Sequence, residues 1–89
     1  MHFWNFDWDE DNIEHIAAHG VEVEEVEEAA AGKPLIRRGR AGRYLLLGRT
    51  AAGRYLFVVV RDVGKGWCRV ITARDMTNAE RRYYRRRGK

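Results

Sequence analysis

Val70-Ile71-Thr72-Ala73-Arg74-Asp75-Met76-Thr77-Asn78-Ala79-Glu80-Arg81-Arg82-Tyr83-Tyr84 reads as a buried strand running into a capped, arginine-rich helix. Val70 and Ile71 have the β-branched character that suits a pleated surface. Thr77 and Glu80 have the spacing of a capping box, in which each side chain bonds the other's backbone N–H, so a helix begins near Asn78. Arg74 then lies at the strand end, close to the helix start. That geometry lets Arg74, Glu80, Arg81 and Tyr84 converge on one surface with cations, a carboxylate and a phenol, groups suited to binding phosphate and moving a proton.

Upstream of this stretch the hydrophobic period is strand-like from Leu35 onward, with strands expected at Leu35 to Arg38, Tyr44 to Thr50, Tyr55 to Asp62 and Trp67 to Thr72. The Ala51-Ala52-Gly53 and Val63-Gly64-Lys65-Gly66 connections are short enough for hairpins, which predicts an antiparallel meander. Tyr55 to Val60 is apolar at nearly every position, as for a central strand covered on both faces. Before the strands come two helices. Asp9 is a good N-cap, and Ile13, Ile16 and Ala17 form one apolar stripe ending at Gly20, a helix of about ten residues. Trp8 and Ile13 have the spacing of a hydrophobic staple. In the second helix Val23, Val26 and Ala30 supply the buried stripe, Glu22, Glu24 and Glu25 sit at its start, and Gly32 with Pro34 stops it. Trp4, Phe6 and Trp8 alternate with polar residues, placing the N-terminus on a sheet edge with its rings inward. The closing helix carries Ala79 and Tyr83 for packing, Glu80, Tyr84 and Arg87 on a neighbouring stripe, and a basic end of Arg85, Arg86, Arg87 and Lys89. The fold class is α+β: two N-terminal helices and one C-terminal helix on an antiparallel sheet of three to five strands.

At 89 residues and 45% hydrophobic content, residues 1–89 are one domain with a modest core. No apolar run approaches the roughly 20 residues of a membrane-spanning helix, and no signal segment opens the chain, so a soluble, cytoplasmic protein is expected. Cys68 is the only cysteine, which excludes an internal disulfide and reads as a buried, inert thiol. The net charge of +4 conceals a division: residues 1–32 hold ten acids and no Lys or Arg, residues 33–89 hold seventeen Lys or Arg and three acids, a balance of −10 against +14. The basic half suits a polyanion, since guanidinium forks phosphate; a surface of internal ion pairs is the alternative.

His15 and His19 stand four apart on the first helix, but no His-Glu-x-x-His order or third ligand accompanies them, so no metal is assigned. Glycine-rich phosphate loops are absent, and no Ser-His-Asp arrangement can be argued from order alone. What remains is phosphodiester chemistry on RNA, in which a 2'-hydroxyl attacks the adjacent phosphorus and no cofactor or metal is needed. Arg74 is the phosphate clamp, Arg61 or Arg81 the second cation, Glu80 or His19 the base, and Tyr84 an orienting group or acid. Glu80 has a second reading, as the capping partner of Thr77 or the ion-pair partner of Arg74. Arg37-Arg38-Gly39-Arg40-Ala41-Gly42-Arg43 is a basic, glycine-containing loop or hairpin able to wrap a nucleic-acid backbone; Arg37, Arg38, Arg40 and Arg43 join Arg81 and Arg85 as candidate RNA contacts.

The order of motifs resembles the BrnT family of bacterial type II toxins, which have a RelE-like ribonuclease fold. The matching pieces are Phe6-Asp7-Trp8-Asp9, His19-Gly20-Val21, Glu24-Glu25, Leu56 to Val60, and Ile71-Thr72-Ala73-Arg74 leading to Glu80-Arg81 and Tyr84. The resemblance implies a small α+β domain, a ribonuclease that arrests translation, and a ribbon-helix-helix antitoxin, BrnA, that occludes the toxin and binds operator DNA. The chain departs from the pattern at Asp11 and Asn12, where the family usually carries a lysine, and at Glu22, where a small hydroxyl residue commonly caps the second helix. These departures leave a catalytically inactive, nucleic-acid-binding or partner-binding module as the alternative function.

Overall fold

Alternating strands form a five-stranded sheet in the computed structural model, which describes residues 5–87; Trp4 and Lys89 lie outside the described residues. In chain order the elements are β1 (Asn5–Phe6), α1 (Glu10–Ala17), α2 (Val23–Ala31), β2 (Leu35–Arg38), β3 (Arg43–Arg49), β4 (Tyr55–Gly64), β5 (Trp67–Asp75) and α3 (Asn78–Arg87). The sheet order is β1-β5-β4-β3-β2. β2 to β5 form the expected antiparallel meander. The all-antiparallel expectation is corrected at one edge, where β1 joins β5 in parallel, with the Asn5 N–H donating to Gly66 at 2.7 Å and the Asp7 N–H to Cys68 at 2.9 Å. The cause is topological: α1 and α2 carry the chain to the opposite edge, and three reversals later β5 arrives running in the direction of β1.

The strand period of two divides the apolar side chains between two faces. Leu46, Leu56, Val58, Val60, Cys68, Val70 and Ala73 pack with Ile16, Val21, Val26 and Ala29 beneath α1 and α2. On the other face, Leu47 packs with Met76 and Tyr84 of the α3 region, joined by Leu35, Leu45, Tyr55, Phe57 and Tyr83. β4 is the central strand, as its composition predicted. Its two faces differ, however: Leu56, Val58 and Val60 are fully buried, whereas Tyr55, Phe57 and Val59 are only half-buried. The single helix α3 covers part of their side of the sheet. The burial that does form also silences Cys68, whose thiol is pushed up to about 12 by loss of solvent.

Local chemistry explains the helix starts. Asp9 and Asn12 exchange bonds across the first turn of α1: the Asn12 N–H donates to Asp9 Oδ1 at 3.0 Å, and the Asp9 N–H to Asn12 Oδ1 at 2.9 Å. The Asn12 amide also donates to the Asp7 carbonyl at 3.3 Å. These bonds draw Asn12 inward beside Ile16 and leave Ile13 39% exposed, so the expected Ile13–Ile16–Ala17 stripe is rotated. Trp8 is anchored to α2 by its Nε1–H bond to Glu27 at 3.0 Å. In α2, Val26 and Ala29 are buried, with Val23 and Ala30 half-buried beside them. Ala29 meets Gly48 of β3 so closely that a Cβ on Gly48 would stand 2.6 Å from the Ala29 carbonyl oxygen. That contact sets how near α2 lies to the sheet.

Candidate nucleic-acid interface

The register of β2, β3 and β4 determines which arginines share the α3 side. Arg37 pairs with Leu45, Arg43 with Arg61 and Arg49 with Tyr55, and all alternate in phase with Leu45, Leu47 and Phe57. α3 adds Arg81 and Arg85 above Tyr55. Like charges directly opposite one another, as at Arg43 and Arg61, are unfavourable in a sheet unless a counter-charge is supplied. Arg61 also pairs with Arg69 of β5, which is relieved by Asp7 at 3.1 Å and by Asp9.

The acidic N-terminal half does not neutralise the rest. Among the described residues, ion pairs involve only Arg54 with Glu25 at 3.0 Å and Asp75 at 2.7 Å, Arg69 with Asp7 and Asp9, and Arg74 with Glu80 at 2.8 Å. Of fourteen arginines, eleven therefore lack a carboxylate partner among the described residues. Six of these are Arg37, Arg43, Arg49, Arg61, Arg81 and Arg85 on the α3 side. A face on which six guanidinium groups have no carboxylate partner among the described residues is an electrostatic fit for a phosphate backbone.

Arg74 and Glu80 meet as a two-pronged pair, Nη1 to Oε1 at 2.8 Å and Nη2 to Oε2 at 3.0 Å, with the guanidinium 4.1 Å from the centre of the Phe57 ring. The Thr77 N–H donates to Glu80 Oε1 at 2.9 Å and the Glu80 N–H to Thr77 Oγ1 at 3.1 Å, completing the capping box. Arg74 above all, and the Thr77 N–H next among the favourable contacts, hold the Glu80 carboxyl below the ordinary glutamate range despite its partial burial. A carboxylate so well supplied with donors is a poor proton acceptor. Arg74 spends a further Nη1–H on the Asp75 carbonyl at 3.0 Å, which leaves its Nε–H and one Nη2–H for a ligand.

The remaining sequence-selected residues separate. Tyr84 is buried, its hydroxyl donating to the Lys33 carbonyl at 3.3 Å. His19 stands at the end of α1 beyond the other face of the sheet, its ring 5.4 Å from that of His15. Arg61 shares the α3 face with Arg74, four residues along β4 from Phe57, which pairs with Arg74. Arg37 and Arg38 point to opposite faces: Arg37 donates to the Tyr83 hydroxyl at 2.8 Å, whereas Arg38 lies 5.9 Å from the ring of Tyr44, which packs on the α1 and α2 side. Arg40 is exposed in the turn that precedes Arg43. Among the described residues no group of three or more His, Cys, Asp or Glu is placed to hold a metal ion.

Tyr55 was missed as a site residue because its apolar surroundings in sequence read as core. In the fold its ring is surrounded by Arg49, Arg81 and Arg85, with guanidinium carbons 4.6, 4.4 and 5.5 Å from the ring centre. The Arg85 Nε–H donates to the phenol oxygen at 3.2 Å. The available signal was the hairpin register, which places Arg49 directly opposite Tyr55. α3 thus borders two grooves. One, of about 350 Å³, has Phe57 and Leu45 in its lining with Glu80 and Tyr83; the other, of about 400 Å³, brings Tyr55 together with Arg54, Asp75 and Arg81.

Comparison with known proteins agrees with this architecture. The family model described as "Ribonuclease toxin, BrnT, of type II toxin-antitoxin system" matches residues 8–80. Among solved structures, the crystal structure of the Brucella abortus ribonuclease toxin BrnT is similar, with a TM-score of 0.65 at 20% identity, covering 88% of this chain and 100% of that one. No curated protein sequence matches.

Proposed function

Because the chain belongs to the BrnT family of ribonuclease toxins of type II toxin-antitoxin systems, we propose that it cleaves RNA without a metal ion, on the α3 side of its sheet. The observation that carries this reading is the accumulation there of six arginines without carboxylate partners, beside Arg74 in a fixed orientation. A 2'-hydroxyl attacks the neighbouring phosphorus, and guanidinium groups stabilise the charge that gathers on the phosphoryl oxygens. Arg74 supplies two oriented N–H groups to the phosphate. Glu80 positions Arg74 by gripping the other edge of the guanidinium. In this reading the domain is a RelE-like cytoplasmic ribonuclease whose cuts arrest translation. The antitoxin that a type II system implies is of the ribbon-helix-helix, BrnA-like kind and covers the same basic face.

Labelled RNA incubated with the purified protein in EDTA tests this, with Arg74→Ala beside wild type. Wild type leaves fragments ending in 2',3'-cyclic phosphate, and Arg74→Ala loses at least about 100-fold in rate, the scale of one lost transition-state donor. Equal cutting by both proteins would remove Arg74 from the site. A specific observation favours the second reading, a non-catalytic RNA-binding module: Asn12, in the region where the family usually carries a lysine, is consumed in capping α1. Salt-sensitive RNA binding with no cleavage would select it.

A further inference from the structure

Resting on the ribonuclease reading above, we infer that Tyr55 is the general acid that protonates the leaving 5'-oxygen, and that Arg49, Arg81 and Arg85 hold the phenolate it leaves behind. The hydrogen-bond direction supports this role. Arg85 Nε–H donates to the phenol oxygen, so the O–H proton is turned elsewhere, and among the described residues it has no acceptor. Tyr84, the tyrosine singled out from sequence, is in the opposite situation: buried, with its proton given to the Lys33 carbonyl. Its ring meets Tyr55 edge-on at 6.0 Å and so buttresses the acid from α3.

The charged groups around Tyr55 come from each neighbouring element. Arg49 projects from β3, Arg81 and Arg85 from α3, and Arg54 with Asp75 lines the same groove, where those two are paired with each other. Arg85's hydrogen bond lowers the phenol below the ordinary tyrosine range; burial opposes it, and the charges of Arg49, Arg85 and Arg81 assist. Such an environment favours the anion without neutralising it by proton transfer, since arginine does not give up its proton. The ring is already stacked against guanidinium groups, which argues against a base-stacking platform and for a role at the phosphate.

The step balances. The 2'-oxygen bonds to phosphorus and its proton passes to water, the bond from phosphorus to the 5'-oxygen breaks, and that oxygen takes the Tyr55 proton. The products are a 2',3'-cyclic phosphate and a 5'-hydroxyl, and the phenolate then recovers a proton from solvent.

Tyr55→Phe keeps the ring and the guanidinium groups against it and deletes the hydroxyl, which is the acid and also the acceptor of the Arg85 bond. On ordinary RNA its kcat falls by at least about 100-fold, the scale of general acid catalysis, with KM within about twofold of wild type. On an RNA whose scissile 5'-oxygen is replaced by sulfur, a leaving group that needs no proton, Tyr55→Phe cuts as fast as wild type. Full activity of the variant on ordinary RNA, or an equal loss on both substrates, would remove Tyr55 as the acid while leaving the ribonuclease reading in place. Wild type that cuts neither substrate would remove both. Unchanged thermal melting of Tyr55→Phe establishes that the comparison concerns chemistry.

Discussion

Salt is the direct probe of a basic face, because every phosphate neutralised by an arginine releases counterions. The six arginines without carboxylate partners on the α3 side set the scale, since Arg74 is already balanced by Glu80. If a single strand engages all six, log K falls with log salt at a slope of about −4, from about −0.7 per contact. Between 50 and 200 mM salt the affinity then drops about 300-fold. Fluorescence anisotropy with a 2'-O-methyl oligonucleotide, which offers no 2'-hydroxyl to attack, measures this without cleavage. Arg61→Ala makes the slope shallower by about 0.7, and Arg38→Ala, on the opposite face, leaves it unchanged. A wild-type slope shallower than about −1, or equal effects of the two substitutions, would refute the assignment of RNA to this face.

Two further expectations concern the scaffold. Gly48→Ala drives a Cβ to 2.6 Å from the Ala29 carbonyl and forces α2 off the sheet. Overpacking of this kind costs about 1–3 kcal/mol, so the melting temperature drops by about 5–20 °C; a drop under about 2 °C would show that α2 yields freely. The lowered Glu80 carboxyl links the α3 start to pH: its contribution is complete above the ordinary glutamate value and is lost as pH falls through the lower folded value. Between pH 5 and pH 3 wild type therefore loses more melting temperature than Glu80→Gln, although Asp9 and Asp75, also lowered by their arginine partners, fall with it in both proteins. Parallel curves for the two proteins would show that Glu80 adds nothing to the folded state.

What the sequence revealed was local. The Thr77–Glu80 box located α3 because its partners are three residues apart, and the period of two located the strands of the meander. The parallel seat of β1 was hidden because it depends on where α1 and α2 deliver the chain, which no short window records. Asn12 displaced Ile13 from the core through a cap bond that propensity alone does not weigh. At the site, Arg74 and Glu80 were legible as neighbours on a strand end and a helix start. Tyr55 was not, because its surroundings come from β3 and α3 and exist only once both have docked. Tyr84 shared a helix stripe with Glu80 in sequence, but its hydroxyl is taken by the Lys33 carbonyl, a partner too distant in the chain for helix spacing to reveal. Arg37 and Arg38 were separable by alternation along the strand expected at Leu35 to Arg38, which is β2 as found, but grouping them with Arg40 and Arg43 as one basic segment passed over that alternation.

The seat of β1 beside β5 has a consequence for synthesis. Residues 5–7 can complete the sheet only after residues 66–68 exist, and the arginines around Tyr55 are not all in place until Arg81 and Arg85 have emerged and α3 has folded back. Chains are made from the N-terminus, so the acidic helices leave the ribosome first and the last turns of α3 late. On the assignment proposed above, the nascent protein passes the RNA that encodes it, and the ribosome that builds it, before it has a site with which to cut either.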